Sequence, residues 1–267
     1  MENLDPINQK KLLGLNLFFE ELVKLYKQKK LPNKILLSGQ KGLGKSTLAY
    51  HFINFVLSEN EEFSYNLENF EINSENCSFK TILNKSNPNF ILIDVSLEKK
   101  FIDINQIRDL ISNLNKSSFN NNPRFVLIDN IEFLNVNSVN ALLKIVEEPS
   151  LDVNFILINN NKKILPTLLS RCIDFKISLS NQQILDVSNV LLGKNLYETI
   201  NQDLLNYYLT PGNIYNLVNF GKNYDIDLVN LNLKNLLKLI ISNNFFKKDI
   251  SKKYLIYELI EFYFTKI

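Results

Sequence analysis

Cysteine is scarce, tryptophan is absent, and neither sign of charge dominates this 267-residue chain. The two cysteines, Cys77 and Cys172, stand far apart, so they offer no disulfide framework and no CxxC pair. That usage points to a reducing, cytosolic compartment, with both thiols expected to be buried as small apolar groups. No apolar run approaches the roughly 20 residues that a membrane span requires. The opening MENLDPINQKK is polar and mixed in charge, so no secretory signal is expected. The net charge of +2 announces neither nucleic acid nor an acidic partner. The local cluster Lys27-Gln28-Lys29-Lys30 reads as a solvated helix end. What remains is an ordinary folded composition, 45% hydrophobic and 22% charged, in a chain long enough for two or three domains.

Along the chain, apolar residues from Leu12 to Leu25 recur at spacings of three and four, which predicts an amphipathic helix over 7–30, stopped near Leu31-Pro32. KILLSG (34–39) is a short buried strand, followed by a glycine-containing turn and a helix over 46–57, one half of a βαβ unit. The polar stretch 58–86 carries no clear pattern. Further strands are expected at 89–95, 124–129, 153–158 and 173–177. Between them lie helices at 102–114, with Asp103 as N-cap, and at 137–148, ended by Pro149. Strands that are apolar throughout and alternate with helices imply a parallel sheet covered on both faces. Beyond Ser178 the pattern is only helical: 182–192, 196–208, 212–220, 228–241 and 250–267. The expected division is therefore an α/β domain over 1–178, a small helical domain over 179–222 and a short helical segment over 223–267.

Gly39-Gln40-Lys41-Gly42-Leu43-Gly44-Lys45-Ser46 fits G-x-x-x-x-G-K-[ST] in full, between an apolar strand and a helix. Glycines let successive backbone N–H groups turn inward around phosphate oxygens, and the helix beginning at Lys45 adds its positive dipole end. Lys45 is placed to reach the terminal phosphates of ATP or ADP. The Ser46 hydroxyl, with Thr47 beside it, is placed to ligate Mg2+.

VLIDNIEFL (126–134) supplies the second half of such a site. Asp129 ends an apolar strand, where a magnesium-directed carboxylate belongs. Asn130 follows where a glutamate is usual in a working ATPase, and an amide cannot help deprotonate an attacking water. Glu132 lies two residues further on, past the strand end. The expectation is nucleotide binding with little or no turnover.

Three stretches carry a family resemblance: LPNKILLSGQKGLGKSTLAYHF (31–52), NSVNALLKIVEEPS (137–150) and FILINNNKKILPTLLSRC (155–172). In order and spacing they resemble the clamp-loader branch of AAA+ proteins, within it the delta-prime subunit family of bacterial DNA polymerase III. The resemblance implies an AAA+ P-loop domain followed by a helical lid and a short collar-like domain. It also implies a cytoplasmic role in DNA replication beside gamma/tau ATPase and delta subunits, acting on a sliding clamp and, without base specificity, on primer–template DNA. Arg171, in Ser-Arg-Cys, resembles the arginine finger offered in trans to a neighbour's nucleotide. Asn159 or Asn160 resembles the sensor residue that touches the γ-phosphate.

The chain also departs from that family. The four-cysteine zinc module of many relatives cannot form, since only Cys77 lies in the corresponding region. No arginine stands in the lid segment 209–213, and the C-terminal part is short for a collar. Two other readings stay open: a self-contained P-loop ATPase or phosphotransferase, and a scaffold that binds no nucleotide.

Overall fold

The computed structural model describes residues 4–95, 100–116, 122–147, 152–205, 209–245 and 253–265. Five strands form one parallel sheet: β1 (Lys34–Ser38), β2 (Phe90–Ile93), β3 (Arg124–Ile128), β4 (Val153–Asn159) and β5 (Ile173–Lys176), in the order β2-β3-β4-β1-β5. The middle strands β1, β3 and β4 are almost wholly buried, as their unbroken apolar sequences require, whereas edge strand β5 is largely exposed. Their register sets Ile93 beside Ile128 and Ser38 beside Asn159, so the C-terminal ends of four strands open at one rim.

Helices fill both faces. α1 (Asn16–Lys27) and α2 (Lys45–Leu57) cover one side, and α2 is buried nearly all round, consistent with apolar residues on every face of its later turns. Phe52 meets Phe125 of the sheet edge-on at 6.2 Å between ring centroids. α4 (Ile104–Leu114) and α5 (Val136–Glu147) cover the other side, where Leu110, Leu142 and Val146 join Val126 and Leu157 in one core. Fully burying side chains of this size contributes about 1.5–3 kcal/mol each. Asp103 caps α4 through Asn105 and Gln106 in a reciprocal capping box.

Several expected elements differ. The first helix begins at Asn16 because residues 10–12 instead pair with 70–72: Leu12 N–H donates to the Phe70 carbonyl and Ile72 N–H to that of Lys10. The stretch 58–86 contains a short helix, α3 (Cys77–Leu83), capped by Asn76 and tied by Glu61 to the N–H groups of Cys77 and Ser78. Cys77 is consequently exposed on the first turn of α3, and Cys172 only partly buried, so the expectation of two buried thiols is corrected. The expected residues Glu148, Pro149, Tyr208 and Ile250 lie outside the described residues.

Two compact units divide the chain: Met1–Gln40 with Gly44–Ser178, and Lys41–Leu43 with Leu179–Ile267. In the first unit a short α6 (Pro166–Leu169) precedes β5; the second is helical, with α7 (Asn181–Leu192), α8 (Gln202–Leu205), α9 (Pro211–Asn223), α10 (Leu233–Ser242) and α11 (Lys253–Thr265). No helix among the described residues is long and apolar enough to cross a membrane.

One buried polar group on α2 is structural. His51 is wholly buried; its Nε2–H donates to the Gln9 carbonyl at 3.1 Å, which leaves Nδ1 to accept from the Tyr65 hydroxyl at 2.8 Å. Burial pushes its pKa down to about 4.

Candidate nucleotide site

The rim formed by β1, β3 and β4 carries the polar residues of the phosphate loop and its neighbours. Gly39, Gly42 and Gly44 all hold positive φ (151°, 88° and 87°), so the loop takes a path that side chains would strain. Gly44 is the N-cap of α2. Lys45, only 3% exposed, folds back from the first turn of α2. Its Nζ donates to the carbonyls of Gly39 (2.9 Å) and Gln40 (2.7 Å) and to Asn160 Oδ1 (3.0 Å). The Ser46 hydroxyl donates to Asp129 Oδ2 at 2.5 Å, and Thr47 follows, half-buried. Gln40 and Lys41 are exposed and Leu43 is buried.

Asp129 follows the last residue of β3. Burial pushes its pKa up to about 6; the Ser46 hydroxyl opposes the shift and nearby Asp94 adds to it. Asn130 sits in the left-handed region at φ 55°, ψ 47°, where asparagine is favoured over longer side chains. That turn leads into a 3-10 helix, Ile131–Phe133. Both ends of the Asn130 amide are engaged: Nδ2 donates to Asp94 Oδ1 (2.8 Å) and Oδ1 accepts from Asn160 Nδ2 (2.8 Å). Asn160 Nδ2 also donates to Glu132 Oε1 at 2.9 Å, and the Asn160 backbone N–H reaches Glu132 Oε2 at 3.4 Å. A polar chain thus runs from Lys45 through Asn160 to two carboxylates, Glu132 directly and Asp94 through Asn130.

The two asparagines left open by the sequence are now separate. Asn159 staples its own turn, donating to the Lys162 carbonyl and accepting from the Lys162 N–H, while Asn160 joins Lys45. Asp94 was not foreseen, although a signal existed: Phe90–Asp94 and Val126–Asp129 are both apolar runs ending in aspartate, and β2 pairs with β3.

Arg171 lies outside this group. It follows α6, and its guanidinium donates to Glu147 Oε1 (2.6 Å), the Thr167 carbonyl (2.7 Å) and Ser170 Oγ (3.4 Å). None of these partners belongs to the Lys45 cluster, and the ion pair is open to solvent, with side chains 34% and 49% exposed.

Within the second unit, Thr210 caps α9 and donates from Oγ1 to the Lys41 carbonyl at 2.8 Å, while Gly212 N–H donates to the Gly42 carbonyl at 3.0 Å.

The residues fit a magnesium nucleotide. Three glycines of the loop hold positive φ, a conformation that lets backbone donors line a phosphate, a buried ammonium bonds to the loop's carbonyls, and a serine hydroxyl already meets a carboxylate as a shared magnesium ligand pair would. A parallel sheet of this strand order with a phosphate loop after β1 defines an AAA+ nucleotide-binding domain. The family model described as "DNA polymerase III, delta subunit" matches residues 15–181, more than half of the chain, and the chain belongs to this DNA polymerase III clamp-loader family. It is 30% identical over 191 residues to DNA polymerase III subunit gamma of Buchnera aphidicola subsp. Schizaphis graminum, covering 70% of this chain and 48% of that protein. It is also 30% identical over 139 residues to subunit delta' of Pseudomonas aeruginosa, covering 52% and 40%. The chain therefore spans about half the length, or less, of these curated relatives. A DNA polymerase III gamma subunit-related protein from Thermotoga maritima aligns with a TM-score of 0.49 at 18% identity, over 82% of this chain and 66% of that one, a likeness too slight to bear on function.

Proposed function

We propose that the chain is a delta-prime-type clamp-loader subunit that binds a magnesium nucleotide, turns it over poorly, and lends Arg171 to the nucleotide of a neighbouring ATPase subunit. The observation that carries this reading is the contrast at the two sites: residue 130 is an amide engaged at both ends, whereas Arg171 is solvent-accessible and lightly held. Lys45 would hold the terminal phosphates, Asn160 would contact the γ-phosphate, and Ser46 with Asp129 would hold Mg2+, which neutralises phosphate charge when bound. A guanidinium supplied in trans stabilises charge developing on a transferring γ-phosphate. Partners on this reading are gamma/tau and delta subunits, the sliding clamp through them, and primer–template DNA bound through its phosphates without base recognition. The subdivision of the second unit into a lid (179–222) and a collar-like segment (223–267) belongs to the same proposal.

The test is ATPase rate in a reconstituted mixture with gamma/tau and delta subunits. Arg171→Ala is expected to lower the mixture's rate at least tenfold, while Lys45→Ala barely changes it. A mixture indifferent to Arg171→Ala would sink the trans assignment.

A further inference from the structure

The carboxylate that the sequence omits at position 130 is present at the site from elsewhere. We propose that Glu132 is the catalytic carboxylate of this nucleotide site, taking the proton of the attacking water in place of residue 130. The inference rests on the reading of Lys45 and Ser46 as nucleotide-binding residues and adds a slow hydrolytic activity to it.

Three features place Glu132 there. The left-handed turn at Asn130 leads into a 3-10 helix that contains residue 132, and the bonds from Asn160 place the Glu132 carboxylate beside the end of β4. Glu132 then meets both the side-chain and backbone donors of Asn160, whose other end accepts from Lys45 Nζ. Glu132 and the Lys45 ammonium are thus the two charged ends of one chain of bonds through the Asn160 amide, so the carboxylate stands one side chain away from the group expected to hold the terminal phosphates. Asp94, the other carboxylate in the chain of bonds, is turned differently. One of its oxygens accepts from Asn130 and from its own neighbour Val95 N–H, and its charge falls on Asp129, the magnesium side of the site.

The step is a hydrolysis. The water oxygen bonds to the γ-phosphorus as its proton passes to Glu132. The bond from γ-phosphorus to the bridging oxygen breaks with its electron pair on ADP, and the proton on Glu132 returns to solvent. Asn160 holds the geometry by donating to Glu132, and a carboxylate that accepts two bonds from one residue has a fixed approach.

The experiment measures ATP turnover and ATP affinity of the full chain alone. The wild type should hydrolyse ATP slowly but above the Lys45→Ala background. Glu132→Gln, isosteric and uncharged, should lower kcat about a hundredfold with ATP Kd changed less than about threefold. Glu132→Asp, which keeps the charge and retracts it, should fall between them, and comparable melting temperatures of the two variants show that both fold. A wild type that binds ATP without turnover overturns the proposal, as does Glu132→Gln at full rate, or loss of turnover in Asp94→Asn with Glu132→Gln unaffected. Failure of the wild type to bind ATP would overturn the nucleotide reading itself, and the proposal with it.

Discussion

Lys45 and Arg171 are both cations suited to phosphate, and the fold treats them in opposite ways. Lys45 is buried, aimed by two backbone carbonyls and by Asn160, and lies on the first turn of a helix locked into the core. Arg171 follows a helix of four residues and is held by one half-exposed carboxylate, one carbonyl and, at longer range, the Ser170 hydroxyl. A group that serves its own chain's ligand can be desolvated and oriented in advance. A group proposed to serve a neighbour has to stay reachable, so its holding contacts must be weak enough to exchange. On the proposed reading, burial with fixed partners suits the home site, and exposure with a replaceable partner suits a group for export.

The comparison can be strained from its buried side first. His51 shares the helix and the burial of Lys45 but has no phosphate to meet, so its neutrality should register in stability alone. Its folded pKa, about 4, lies below the ordinary 6.5, so the unfolded chain binds the proton first as pH falls. Stability should be flat above pH 6.5 and fall between 6.5 and 4, by up to about 3 kcal/mol for this group. Asp129 acts with the opposite sign between 6 and 3.8, since its pKa is raised and the folded state holds the proton there. Denaturant melts of wild type and His51→Gln across that range cancel the shared Asp129 contribution; parallel curves would refute the assignment.

Next in size, Lys45→Ala should weaken ATP binding by about ten- to a hundredfold, since hydrogen bonds to charged groups contribute about 1.5–3 kcal/mol. Equilibrium binding of ATP reads this directly, and an unchanged Kd would put the ammonium's role in the loop's own structure. Asn130→Glu should cost about 1–2 kcal/mol through the left-handed backbone, whereas Asn130→Gly should cost less, because glycine accepts that conformation. Equal losses would locate the cost in the Asp94 and Asn160 bonds instead. Smallest is Glu147→Gln. The Arg171 pair is solvent-screened, so stability should change by less than about 1 kcal/mol. A larger loss would mean that Arg171 is a structural anchor and no export group.

Much of this contrast was legible in the sequence and some was not. Apolar strands between helices, and a complete phosphate loop with the right flanks, were enough for the parallel sheet and for the meeting of Ser46 with Asp129 beside Lys45; their roles toward a nucleotide belong to the proposal. The pairing that brings Asp94 beside Asp129 was hidden, because strand order depends on crossovers between segments distant in sequence. That Asn160 rather than Asn159 meets Lys45 was hidden too, because Asn159 is taken up by the backbone of Lys162. Asparagine also defeated helical periodicity in the second unit. The expected helix over 196–208 is broken because Asn195 and Asn201 bond to the N–H groups of Tyr197 and Asp203. The one expected from Leu228 starts at Leu233 because Asp227 ties down the N–H groups of residues 229 and 230 and Asn232 supplies the cap.

In the second unit, Gly42 and Gly212 meet backbone to backbone. A methyl group at 212 would lie 2.8 Å from the Gly42 Cα, and one at 42 would lie 2.3 Å from Thr210 Oγ1. Two positions 170 apart in numbering are therefore one heritable unit: enlarging 212 crowds Gly42 itself, enlarging 42 crowds Thr210 and Asn213 on either side of Gly212, and no enlargement of the second can compensate the first. Among descendants of this chain, drift at these sites should be forbidden singly and jointly, so that the loop of a nucleotide site and the start of a distant helix are inherited together.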